Sequence, residues 1–125
     1  MALQKSELQV IKNYASGYGK LTPDNEPDLI FFDENNKTIA LCEVKTPDTI
    51  NKEVFNVQLK KFALRCEREN ACFYLCTPAQ SLGAALAFIS ETKIFEKLIE
   101  RKLFKLFTFS ATPEELEGKI EEVQL

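Results

Sequence analysis

Two apolar runs joined by one short polar turn constrain this chain more than any other feature. Leu29-Ile30-Phe31-Phe32 follows Pro27-Asp28, and Ile39-Ala40-Leu41-Cys42 leads into Glu43-Val44-Lys45. Between them lies Asp33-Glu34-Asn35-Asn36-Lys37-Thr38. Apolar runs bounded by Asn and Asp predict a β-hairpin. If strands 28–33 and 38–45 close around a loop at 34–37, paired residue numbers sum to 71, and Asp28 faces Glu43. Cβ atoms in such a pair lie about 4.5–5.5 Å apart, and like charges there repel. A divalent cation bridging the two carboxylates would turn that repulsion into binding. Lys45 shares the Glu43 face, because side chains alternate along a strand. Glu26 falls opposite Lys45, as its partner or as an additional carboxylate. The plainer reading is that strand ends carry charge because they meet water.

The rest of the chain supplies elements to pack on that hairpin. Leu3, Val10, Ile11 and Tyr14 mark a helix over 3–15, with Glu7 on the same face. A carboxylate on an apolar face is costly unless it is paired or metal-bound, so Glu7 is either a site residue or a glutamate reaching water at the stripe's edge. Gly17, Gly19, Pro23, Asn25 and Pro27 make 16–27 a loop. Phe55, Leu59, Phe62 and Cys66 form the core stripe of a helix over 51–69. Gln58 lies to one side of that stripe, and Lys61, Arg65 and Arg68 continue round the same side as a basic ridge. Such a ridge either contacts phosphates, with Lys52 as a further candidate, or is a solvated flank. Ala71 to Cys76 reads as a short buried strand. Residues 81–101 read as helix, in two pieces that break around Ser90-Glu91-Thr92. The alternation from Leu103 to Phe109 predicts an edge or late strand. Thr112-Pro113-Glu114-Glu115 predicts a helix start, with the helix running through Ile120 and Val123.

At 125 residues the chain fits one domain, 1–125. Its order of elements fits an α/β sandwich, with a parallel βαβ unit running from Lys45 through the helix at 51–69 to the strand at 71–76. No apolar stretch reaches a membrane span, and the first residues lack the apolar core of a secretory signal, so a cytoplasmic protein is expected. The net charge of −3 disfavours a sequence-blind nucleic-acid coat but not an acidic metal site. There is no histidine, which excludes His-based zinc sites, histidine general bases and Ser-His-Asp triads. Cys42, Cys66, Cys72 and Cys76 lack the paired short gaps of a zinc ribbon and fall in core-like contexts, where a thiol acts as a small hydrophobe.

Pro27-Asp28 and Glu43-Val44-Lys45 together resemble the motif of the PD-(D/E)xK nuclease superfamily, over about residues 3–76. Gln58-Leu59-Lys60-Lys61-Phe62 is similar to a helix Gln followed four residues later by Tyr in several of its families, with Phe here in place of Tyr. The resemblance implies a restriction-endonuclease-like three-layer sandwich, a central mixed sheet flanked by helices. It implies Mg²⁺, with Mn²⁺ as substitute, held by Asp28, Glu43 and the Val44 carbonyl. Lys45, Gln58 and Glu7 would complete the catalytic set, and the reaction would be hydrolysis of DNA phosphodiesters by a restriction- or repair-type endonuclease. It leaves open a homodimer, a part of a larger multidomain restriction protein, and a catalytically inactive module of the same fold that binds nucleic acid or protein.

Overall fold

Five strands line up in the order in which the chain lays them down: β1 (Leu29–Phe32), β2 (Thr38–Val44), β3 (Cys72–Pro78), β4 (Phe104–Ser110) and β5 (Lys119–Val123). The computed structural model describes residues 27–45, 53–110 and 119–125, with the side chains of 53–55 and 119 left aside. β1–β2 and β4–β5 are antiparallel, whereas β2–β3 and β3–β4 are parallel, so the sheet is mixed. The parallel pairs are joined by helices: α1 (Glu53–Glu69) between β2 and β3, and α2 (Leu82–Glu91) with α3 (Lys93–Glu100) between β3 and β4. The two-piece helix expected over 81–101 is present, broken at the extended residue Thr92.

The hairpin has the expected register. Leu29 pairs Cys42, Ile30 pairs Leu41 and Phe31 pairs Ala40, each summing to 71. The register shifts after Phe31, so that Phe32 pairs Thr38. The Asp33 carboxylate closes the turn by accepting from the Asn35 and Lys37 backbone N–H groups at 2.8 and 2.9 Å. Asn36 takes the left-handed φ of 61° that Asn tolerates in turns.

Alternation divides the sheet into two buried faces. Leu41, Phe73, Leu75 and Leu106 pack against Leu59, Phe62, Ala63 and Cys66 of α1, Ala85 and Ile89 of α2, and Phe95 and Leu98 of α3. Ala40, Cys42, Cys72, Tyr74, Cys76 and Phe107 form the core of the opposite face. The described helices thus all lie on one face. The helix expected over 3–15 and all but Pro27 of the loop expected over 16–27 lie outside the described residues. The α/β architecture and mixed sheet are as expected. All four cysteines are free and buried, as their apolar contexts predict.

One element differs from expectation. The helix predicted to run through Ile120 and Val123 is there a strand, β5, paired with β4. Residues three apart share a helix face but take opposite sides of a strand. Ile120 packs on the Tyr74 face and Val123 on the Leu106 face, so both are used. A bare β4 would present unpaired N–H and C=O groups, which β5 satisfies. β4 is therefore interior, not an edge. No helix among the described residues is long and apolar enough to cross a membrane.

Candidate active site

Asp28 and Glu43 interlock where the hairpin ends. The Asp28 backbone N–H donates to Glu43 Oε1 at 2.8 Å, and the Val44 N–H donates to Asp28 Oδ2 at 2.8 Å. Each carboxylate is thus held by the backbone of the other strand. Lys45 Nζ lies 3.1 Å from Glu43 Oε2, in an ion pair whose two side chains are only 4% and 5% exposed. Asp28 continues the alternation of Ile30, and Glu43 and Lys45 continue that of Leu41, so all three stand on the helix-covered face.

Burial and like charge meet at Glu43. Its carboxyl is pushed up from the ordinary 4.5 to about 7, first by burial and next by the Asp28 carboxylate. Lys45 and the Asp28 N–H oppose the shift. Cys42, behind them on the other face, is held well above its usual range by burial, and burial pushes the Cys76 thiol up to about 12. Neither thiol is an available nucleophile.

The donor set suits a hard divalent cation. Two carboxylates converge, and their repulsion is what a cation relieves. Even residues of β2 turn their backbone groups toward β1, as the Val44 N–H does, so the Val44 carbonyl lies on the same edge as Asp28. Among the described residues no group of three or more His, Cys, Asp or Glu side chains gathers. Mg²⁺ needs no such cage, because it keeps several waters beside one or two carboxylates. Asp28, Glu43 and the Val44 carbonyl therefore fit Mg²⁺ by chemistry. Glu7, Glu26 and Lys52 lie outside the described residues.

α1 brings Gln58 toward the same end of the sheet. Its C-terminus leads directly into the start of β3, so its N-terminal half lies over the strands' C-terminal ends. α1 packs on β2 and β3 and against α3, whereas α3 packs on β4. Arg101, just after α3, donates to the Glu67 carbonyl and to Asn70 Oδ1, so α3 lies on the flank of α1 that carries Glu67 and the fully buried Ala63. Gln58, Lys61 and Arg65 stand on the opposite flank at 100° per residue, the flank nearer β1. Gln58 is half-buried, Lys61 and Arg68 are exposed, and Arg65 is paired with Glu69 at 3.0 Å within the helix. From Gln58 to Arg68 the ridge runs about 15 Å along the helix, away from the carboxylates.

No family model, curated protein or solved structure matches the chain. What the site can do is read from its own chemistry.

One residue beside this cluster escapes sequence reasoning. Glu43, Lys45, Thr77 and Ser81 are the buried polar or charged residues among those described. Thr77 follows the run Cys72-Phe73-Tyr74-Leu75-Cys76 and precedes Pro78, so it reads as a strand end. Only the β2–β3 register shows which residue it stands beside.

Proposed function

We propose that this chain hydrolyses DNA phosphodiester bonds with Mg²⁺ held at Asp28, Glu43 and the Val44 carbonyl, as an endonuclease of the restriction or repair type. The observation that carries the reading is the convergence of Asp28, Glu43 and Lys45. Two carboxylates are locked together by reciprocal backbone hydrogen bonds, with a buried ammonium 3.1 Å from one of them. Burial and the neighbouring Asp28 carboxylate raise the Glu43 carboxyl, and a carboxylate perturbed in this way marks a functional site. The motif resemblance adds the same three residues.

In this reading Asp28, Glu43 and the Val44 carbonyl would hold the cation, which would supply Lewis-acid neutralisation of phosphate charge and acidify water. The protein's part is positional. Asp28 and Glu43 fix the cation's place, because each is oriented by the partner strand's backbone. Lys45 donates hydrogen bonds to the attacking water or to a phosphoryl oxygen as negative charge grows there. Gln58, on the α1 flank nearer β1, orients that water or the sugar–phosphate backbone. The net change is one P–O ester bond broken by water, leaving a phosphate monoester and a free hydroxyl. Gln58→Ala is expected to slow cleavage strongly while leaving cation affinity within about twofold, since a neutral amide positions without supplying charge. An unchanged rate would make Gln58 a solvated flank residue.

The ridge supplies affinity without reading sequence. Replacing Lys61, Arg65 and Arg68 together by Gln should flatten the salt dependence of duplex binding by a slope of roughly 0.9 per lost phosphate contact. Arg65, already paired with Glu69, should contribute least of the three. Equal slopes for wild type and triple variant would move the DNA path to another surface.

The rival is an inactive module of the same architecture. Calorimetric titration with Mg²⁺ or Mn²⁺ separates the two. The catalytic reading expects saturable binding that Asp28→Ala abolishes. Heat-silent titrations of wild type, with and without DNA, would leave the binding-module reading in its place.

A further inference from the structure

α1 turns two aliphatic side chains to water in the middle of a basic face. Of its side chains from 56 to 69, those exposed are Val57, Lys60, Lys61, Leu64 and Arg68. Val57 is 59% exposed and Leu64 55%. Seven residues apart, they stand within about 20° of each other round the helix and about 10.5 Å apart along it. Lys60 flanks that line on the side of Glu67, and Lys61 and Arg68 flank it on the side of Arg65. The acidic residues of this stretch, Glu67 and Glu69, are half-buried, and Glu69 is paired with Arg65. The exposed face thus combines cations and aliphatic side chains with no exposed carboxylate among its described side chains. The other exposed large apolar residues among those described, Phe32, Leu86 and Leu125, come one each from β1, α2 and the residues after β5. Exposed apolar residues scattered singly are ordinary, whereas a line of two on one charged face is not.

That composition selects the occupant. A second copy of the same face is repelled, because cations would meet cations. The backbone of a DNA duplex offers phosphates to the cations, but its bases are stacked and present only their edges, in the grooves. An unpaired strand offers two things at once: phosphates for the cations and base faces released from stacking. We infer that the exposed face of α1 is a docking surface for single-stranded DNA, with unpaired bases against Val57 and Leu64 and the phosphates that join them on Lys60 and Lys61. The inference rests on the DNA reaction proposed above and names its substrate class: DNA in which an unpaired strand leaves a duplex. α1 suits such a junction. Its N-terminal half lies over the strand ends, where Asp28 and Glu43 converge. The ridge of Lys61, Arg65 and Arg68 takes duplex phosphates, and the line of Val57 and Leu64 runs beside it on the side away from the sheet. An acidic protein would match the charge as well. Continuity of the face with the ridge and the carboxylates favours the nucleic acid.

The test is fluorescence anisotropy on the full chain with a labelled oligothymidylate and a labelled duplex of the same length. EDTA is present so that binding is read without cutting, and circular dichroism checks each variant's fold. The double variant Val57→Gln, Leu64→Gln keeps the charge and the helix preference and removes the apolar surface. It should weaken single-strand binding by about tenfold, the scale of leaving two half-exposed aliphatic side chains uncovered. Its duplex affinity should stay within about twofold of wild type. Lys60→Gln should flatten the salt dependence on the single strand by a slope of roughly 0.7 and leave the duplex slope unchanged. Wild-type single-strand affinity in the double variant overturns the inference. Equal weakening on single strand and duplex also overturns it, by placing the two side chains in a groove of paired DNA. A peptide of alternating Leu and Glu serves as competitor. If wild type binds it more tightly than the oligothymidylate and the double variant does not, the face docks an acidic protein and the inference falls. Binding of neither DNA by wild type overturns it as well. The reaction itself is judged by cleavage in Mg²⁺, so the two fail separately.

Discussion

Asp28→Asn, Glu43→Gln and Lys45→Met are each expected to lower the proposed Mg²⁺-dependent DNA cleavage by on the order of 10²–10³-fold or more, with the protein still folded. That is the scale for removing one preorganised charged group from a reacting centre. The near-isosteric variants matter. Lys45 and Glu43 are a buried pair, only 4% and 5% exposed at their side chains, and truncating one partner leaves the other without this contact. Breaking such a pair costs about 3–5 kcal/mol, so Ala variants would mix loss of chemistry with loss of fold. The Glu43→Gln side chain keeps a hydrogen-bond acceptor for the Asp28 N–H. The Lys45→Met side chain fills the buried lysine's space without charge. Wild-type rates at saturating Mg²⁺ in any of the three would remove that residue from the mechanism.

The second large effect is on stability, and its sign follows from Glu43. The carboxyl titrates at about 7 in the folded protein against an ordinary 4.5. The native state therefore binds the proton more tightly than the unfolded chain does. The stabilising contribution is present in full below about pH 4.5 and is lost as the pH rises through about 7. A shift of this size corresponds to about 3 kcal/mol. In EDTA, wild type should therefore lose urea resistance between these pH values relative to Glu43→Gln, which has nothing to ionise. Excess Mg²⁺ should restore wild type at the upper end, because a cation favours the charged carboxylates. Parallel pH profiles for wild type and Glu43→Gln would show that burial and the Asp28 carboxylate do not raise the Glu43 carboxyl.

The hairpin was legible because three independent signals agreed. Apolar runs set the strands, Asp33 and Asn36 set the turn, and the constant sum of 71 put Asp28 on Glu43. The break at Thr92 was legible from polar residues interrupting an apolar stripe. The end of the chain was not. Ile120 and Val123 are three apart, a spacing that suits one face of a helix or two faces of a strand, and only the open side of β4 decides between them. The shift after Phe31 left no mark in residue spacing either. The site was readable where side chains are fixed by local alternation, as with Lys45 beside Glu43. Thr77 was invisible because its neighbour lies 32 residues away and is set by parallel register. The flank of α1 that carries Gln58 could be read from helical periodicity. Which way it faces needed α3, tied to the other flank through Arg101 on the Glu67 carbonyl and Asn70 Oδ1.

The most direct test is cleavage itself. Wild type and Lys45→Met, purified side by side, are incubated with supercoiled, linear, single-stranded and branched DNA in Mg²⁺, in Mn²⁺ and in EDTA. Wild type is expected to cut at least one of these forms in Mg²⁺, and EDTA and Lys45→Met are both expected to abolish the cutting. Cleavage that survives in EDTA, or that Lys45→Met carries out as fast as wild type, would contradict it, as would intact DNA in every wild-type reaction.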